Sequence, residues 1–175
     1  MANEINYRNR QNRKIYLMPN KIEIIEGFVG ESFEKEVLKL LPNKVIKRRN
    51  RNQILRYGSN KPYDNGLVSD VVPAIFKNLA FNHFEFDSVT INEYLEGQII
   101  DWHIDKPASG SSIYIISLVS DATLSFRLGD EIVNYFVPRF SLTIFSEDLR
   151  WKWQHSLKAE QRRVSVVFRN SQEKV

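Results

Sequence analysis

Apolar positions along the chain recur first at helical spacing and then, from residue 84 onward, in short alternating runs. In E-S-F-E-K-E-V-L-K-L-L, residues 31–41, Phe33, Val37, Leu40 and Leu41 fall on one face and Pro42 stops the run, which predicts an amphipathic helix. A second is predicted in S-D-V-V-P-A-I-F-K-N-L-A-F, residues 69–81, where Pro73 suits a first-turn position and Ile75, Phe76 and Leu79 make the stripe. Between them lies a basic strand or loop. It is followed by R-Y-G-S-N-K-P-Y-D-N-G, residues 56–66, whose turn residues predict an exposed loop carrying Tyr57 and Tyr63.

The second half reads as strands rich in β-branched and aromatic residues: F-D-S-V-T-I-N-E-Y, Q-I-I-D-W-H-I, S-I-Y-I-I-S-L-V, T-L-S-F-R-L, E-I-V-N-Y-F-V, S-L-T-I-F and R-V-S-V-V-F-R. Seven or eight strands thus follow two helices. L-G-D-E marks a hairpin turn, and Pro138 with Arg139 breaks the next pair. Closely spaced antiparallel strands predict a barrel or jelly roll buttressed by the helices, an α+β arrangement.

Composition narrows the chemistry. A chain of 175 residues with 42% hydrophobic content can enclose one substantial core. No apolar run is long enough to cross a membrane, and the polar start lacks the core of a signal peptide. The expectation is a monomer inside the cell, in cytoplasm or nucleus. Without cysteine, any metal must be held by His, Asp and Glu. Charge is asymmetric: residues 1–63 carry a net +8 and residues 64–175 a net −4. The basic part comprises an arm, placed at residues 1–20, and K-V-I-K-R-R-N-R-N-Q-I-L-R, residues 44–56. Such clusters attract polyanions, or serve as a solvated arm and a charged strand edge.

Three histidines, His83, His103 and His155, limit the search for ligands. His103 and Asp105 are two apart, so in an extended segment both side chains share a face and can hold one cation. By itself H-x-D is weak, and His83-Phe84-Glu85 is a decoy of similar form. His155 supplies a third ligand about fifty residues on. That interval leaves room for four strands before the chain returns, expected on the opposite side of the barrel. Two His and one carboxylate make the facial triad of non-haem Fe(II) oxygenases. In R-V-S-V-V-F-R, alternation sets Arg163, Ser165, Val167 and Arg169 on one face. Two inward guanidiniums need an anion, either a carboxylate cosubstrate or structural acids.

N-E-Y, H-I-D, His155 and R-V-S-V-V-F-R together resemble the AlkB family of Fe(II)- and 2-oxoglutarate-dependent dioxygenases, over about Ile22 to Asn170. The resemblance implies a double-stranded β-helix (jelly-roll) core with N-terminal buttressing helices, occupying residues 21–175. It implies that His103, Asp105 and His155 bind Fe(II). Arg163 would take the distal carboxylate of 2-oxoglutarate, and Asn92, Tyr94, Ser165 and Arg169 would complete its pocket. Ser165 stands where the family commonly has Asn, and the connection from His155 to Arg163 is short. Arg162, next to Arg163, points away by alternation.

The resemblance further implies O2-driven oxidative demethylation, with DNA repair or RNA demethylation as the leading expectation. For a nucleic-acid substrate, Tyr57, Tyr63 and Trp102 are stacking candidates, Trp102 being equally readable as core. Arg48, Arg49, Arg51 and Arg56 are expected to meet phosphates. The alternatives are a protein substrate of a demethylase or hydroxylase, and a β-barrel binding module without activity.

Overall fold

The computed structural model describes residues 5–8, 14–18, 22–42, 51–59, 66–81 and 83–171. Two sheets face each other. The larger is built from β1 (Ile5–Arg8), β2 (Lys14–Met18), β3 (Ile22–Ile25), β4 (Gln53–Gly58), β5 (Leu67–Ser69), β6 (Ser88–Tyr94), β8 (Ser112–Leu118), β11 (Leu142–Ser146) and β13 (Arg163–Arg169). The smaller contains β7 (Ile99–His103), β9 (Ala122–Leu128), β10 (Glu131–Val137) and β12 (Gln154–Lys158). Spatial orders are β1-β2-β3-β11-β8-β13-β6-β4-β5 and β10-β9-β12-β7. Helices α1 (Glu31–Lys39), α2 (Ala74–Ala80) and the short α3 (Glu147–Trp151) complete the fold, which is the expected jelly roll.

Period-two alternation builds both apolar layers. Val164, Val166 and Phe168 of β13 turn to the helix side, where they join Val37 of α1 and Phe76 of α2; Phe76 is fully buried and meets Phe168 edge-on. Val167, on the opposite face, packs between the sheets with Phe126, Phe145 and Leu157. Each large apolar side chain so buried contributes about 1.5–3 kcal/mol. The β9–β10 hairpin turns at Gly129, whose φ of 59° suits a residue without Cβ, and pairs Leu128 with Glu131 as the sequence predicts.

Residues 5–8 and 14–18 of the basic arm form β1 and β2, and β2 pairs with β3. Three expectations are corrected. Tyr57 is not on an exposed loop: it is 6% exposed in β4, its ring near Phe76, because Leu55 and Tyr57 share the helix-facing side of that strand. Nor does Arg56 sit on the surface, being 7% exposed on the other face. Finally, β12 pairs directly with β7 and does not lie across the barrel from it. Arg48, Arg49 and Tyr63 lie outside the described residues.

Glu34 ties α1 to the large sheet. Its carboxylate, 6% exposed, accepts the Val119 amide at 2.6 Å and the Arg139 guanidinium at 2.5 and 3.0 Å. Val119 turns at φ 74°, an unfavourable setting for a β-branched residue that this bond helps to hold. Glu34→Ala is expected to lower unfolding free energy by about 1–3 kcal/mol in a urea titration, by leaving that amide unsatisfied.

Candidate metal centre and anion pocket

β7 delivers His103 by means of an irregularity. His155 pairs with His103 and Leu157 with Ile100, so two steps on β12 oppose three on β7. The extra residue is a bulge near Asp101 and Trp102. Strict alternation would put Ile100 and His103 on opposite faces, whereas both line the cavity between the sheets. His103 Nδ1 lies 2.7 Å from the Asp101 carbonyl oxygen, so Nδ1–H donates there and Nε2 is left for a metal. Asp105 lies past the end of β7, just before a 3₁₀ turn at Pro107–Ser109. It still converges: ligand atoms of His103, Asp105 and His155 all lie within 4.8 Å of one another. His83 instead meets Phe28 edge-on at 4.9 Å, away from this group.

Electrostatics favours a cation here. Burial alone would raise the Asp105 pKa. The guanidinium of Arg169, the two imidazoles and Arg150 outweigh burial and hold the carboxyl well below its usual range. Arg169 Nη2 reaches its oxygens at 3.3 and 3.4 Å. Burial drives His155 down to about 3 against the pull of Asp105, so its imidazole is neutral and able to ligate at neutral pH. A linkage follows. The unfolded chain takes up a proton near the ordinary value of 6.5 and the folded His155 only near 3, so stability falls as pH drops through that window. The slope contributed approaches about 1.4 kcal/mol per pH unit. His155→Gln is expected to flatten urea-derived stability between pH 6 and 4, measured with chelator present.

Behind the triad, β13 presents Arg163, Ser165, Val167 and Arg169 to the same cavity, as alternation requires. Asn92 and Tyr94 arrive from β6, where Arg163 pairs with Tyr94 and Ser165 with Asn92. The cavity measures about 150 Å³, room for several waters or a small organic acid. Arg163 is 2% exposed, and its one hydrogen bond among the described residues runs from Nη2 to Ser117 Oγ at 3.2 Å. Nε and Nη1 are buried without a partner among the described residues, as are Asn92 Oδ1 and Thr143 Oγ1. Burial lowers Arg163 to about 10, Tyr94 opposing, so it stays cationic at neutral pH. A buried guanidinium with two unmet donors can receive a carboxylate. Among the described residues no acid pairs with it. Arg162 points outward to Glu93 at 2.7 Å, as expected.

Of the candidates for substrate contact, Arg51 and Arg56 line this cavity, with Arg51 half-buried. Trp102 does not line it; its ring lies under the Arg127 guanidinium, 4.6 Å from its centroid. Sequence reasoning missed Thr90, Ser117 and Thr143, which face the cavity from β6, β8 and β11. Their signal is a hydroxyl residue flanked on both sides by apolar ones, visible as I-S-L in S-I-Y-I-I-S-L-V and L-T-I in S-L-T-I-F.

Fold and site together define a double-stranded β-helix whose two-histidine, one-carboxylate triad fits an iron site beside a pocket that fits 2-oxoglutarate. In fold and in motifs the chain is similar to AlkB-like proteins. No family model matches it. Among curated proteins, an uncharacterized protein of Acanthamoeba polyphaga mimivirus is 25% identical, covering 86% of this chain and 85% of that protein. The tRNA (carboxymethyluridine(34)-5-O)-methyltransferase alkbh8 of Xenopus tropicalis is 27% identical over 80% of this chain, which spans only 25% of that protein. Among solved structures, OsALKBH1 superposes with a TM-score of 0.68 at 12% identity, covering 89% of this chain and 99% of that one. A prolyl hydroxylase in complex with a hypoxia inducible factor oxygen degradation domain peptide fragment, from Trichoplax adhaerens, gives 0.55 at 17% identity, covering 87% and 84%. Among the described residues no helix is long and apolar enough to cross a membrane.

Proposed function

We propose that this protein is an Fe(II)- and 2-oxoglutarate-dependent dioxygenase that removes methyl groups oxidatively from alkylated nucleobases of DNA or RNA. The observation that carries the reading is the buried Arg163, with two unmet donors, in one cavity with the triad. His103, Asp105 and His155 would hold the iron, and Arg163, Ser165, Asn92 and Tyr94 the distal end of the cosubstrate. Bound together, metal and cosubstrate would supply O2 activation, an N-methyl group leaving as formaldehyde while 2-oxoglutarate becomes succinate and CO2. The protein's part is to orient and to exclude water. Arg163 fixes the cosubstrate at its far end, and the apolar walls Ile100, Ile113, Leu124 and Leu157 keep the centre dry.

The net +8 of residues 1–63 supports a nucleic-acid substrate, and so does a relative whose name concerns tRNA. The test is formaldehyde release across methylated single- and double-stranded oligonucleotides. Release from at least one is expected, with oligonucleotide affinity falling steeply as salt rises. Affinity indifferent to salt, with no formaldehyde from any of them, would sink the nucleic-acid half of the proposal. A protein substrate is the second reading, favoured by the fold shared with a peptide-bound prolyl hydroxylase. Peptides that accelerate succinate formation where oligonucleotides do not would select it.

A further inference from the structure

Arg150 of α3 is the bulkiest fully buried side chain among the described residues, at 1% exposure, and it does not line the cavity. A guanidinium is taken out of water at a cost that only well-placed acceptors offset. Here all three nitrogens donate to carbonyls of one short loop: Nη1 to Asp105 at 3.0 Å, Nη2 to Lys106 at 2.7 Å and Nε to Gly110 at 3.0 Å. That loop opens on the triad carboxylate, tightens through the 3₁₀ turn and closes at Gly110, where φ is 89°.

Asp105 is therefore gripped twice. Arg169 holds its carboxylate and Arg150 its main chain. Five residues beyond Arg150 the same segment supplies His155, so α3 and β12 place one ligand directly and a second through the clasp. Lysine has the charge but not the fork, and one ammonium cannot serve three carbonyls spread over six residues.

We propose that Arg150 is a positioning residue for the metal centre, holding the backbone of Asp105 so that its carboxylate meets the two imidazoles before any ion arrives. The inference rests on His103, Asp105 and His155 being the metal triad. It is tested with Mn(II), which reports binding without turnover, by calorimetry on the full chain. Arg150→Lys, confirmed as folded by circular dichroism, is expected to bind Mn(II) about 10–100-fold more weakly than the parent. At saturating Co(II) its absorption spectrum should differ, a change that a purely stabilising residue would not cause. Methylguanidinium should partly restore Mn(II) affinity to Arg150→Ala. Where Arg150→Lys does not fold, Gly110→Ala carries the same expectation, because a side chain at that φ strains the far end of the clasp. Parent Mn(II) affinity and an unchanged Co(II) spectrum in a folded variant overturn the inference. A parent that binds no Mn(II), or a His155→Ala that binds it equally, overturns the triad reading instead.

Discussion

Arg163→Met is expected to lower 2-oxoglutarate turnover at least a hundredfold while leaving the apo fold as stable as the parent or more so. The two effects share one cause. In the parent a guanidinium is 2% exposed with Nε and Nη1 unmet, an arrangement that costs stability until an anion arrives. Methionine is of similar length, fills irregular gaps and brings no charge to desolvate. Replacing buried ionic groups with apolar residues of similar volume has proved neutral or stabilising by about 1–4 kcal/mol elsewhere. Turnover falls because the distal carboxylate loses its bidentate partner and the cosubstrate its fixed orientation. Succinate formation and thermal unfolding, each with and without 2-oxoglutarate, decide the matter. The parent should gain melting temperature with the ligand and the variant should not. A variant that loses stability and keeps turnover would place the cosubstrate elsewhere.

The same residue shows what the sequence made legible. Alternation in R-V-S-V-V-F-R predicted which side chains share a face, and all four cavity-facing residues of β13 follow it. A flat strand has no other freedom, so the inference from spacing to direction was safe. β7 is different. Its bulge breaks the period, so His103 joins Ile100 in the cavity for a reason that depends on pairing with β12 and is invisible in Q-I-I-D-W-H-I read alone. Asp105 reached the metal site from a loop held by Arg150, forty-five residues away, and no local pattern encodes that partnership. Tyr57 and Arg56 illustrate the converse error. Turn-forming neighbours suggested a loop, but β4 pairs with β6 through Gly58, whose φ of 83° is where the chain leaves the sheet. Tertiary pairing overrode a local turn signal that begins only two residues later.

Asp105→Ala should separate the ligands by their effect on the fold as well as on the metal. Loss of Fe(II) binding is expected for Asp105→Ala and His155→Ala alike, since each removes one of three protein ligands. Stability should diverge. Asp105 is 4% exposed and neutralises a cationic surround of Arg169 and Arg150; deleting it removes the carboxylate that Arg169 meets in a largely buried position. Breaking a buried pair in that way typically costs about 3–5 kcal/mol. His155, neutral when buried, leaves no orphaned charge when truncated; its loss is one of packing against Phe126 and Phe145. With chelator present, urea unfolding should therefore show Asp105→Ala as the less stable variant. The double variant Asp105→Ala with Arg169→Met should recover part of the deficit, because it removes the Arg169 cation as well. Equal stability of the two single variants, or no recovery in the double, would mean that Arg169 is not held in place by Asp105. The carboxylate would then act as a ligand alone, and the electrostatic frame described for the centre would have to be redrawn around Arg150.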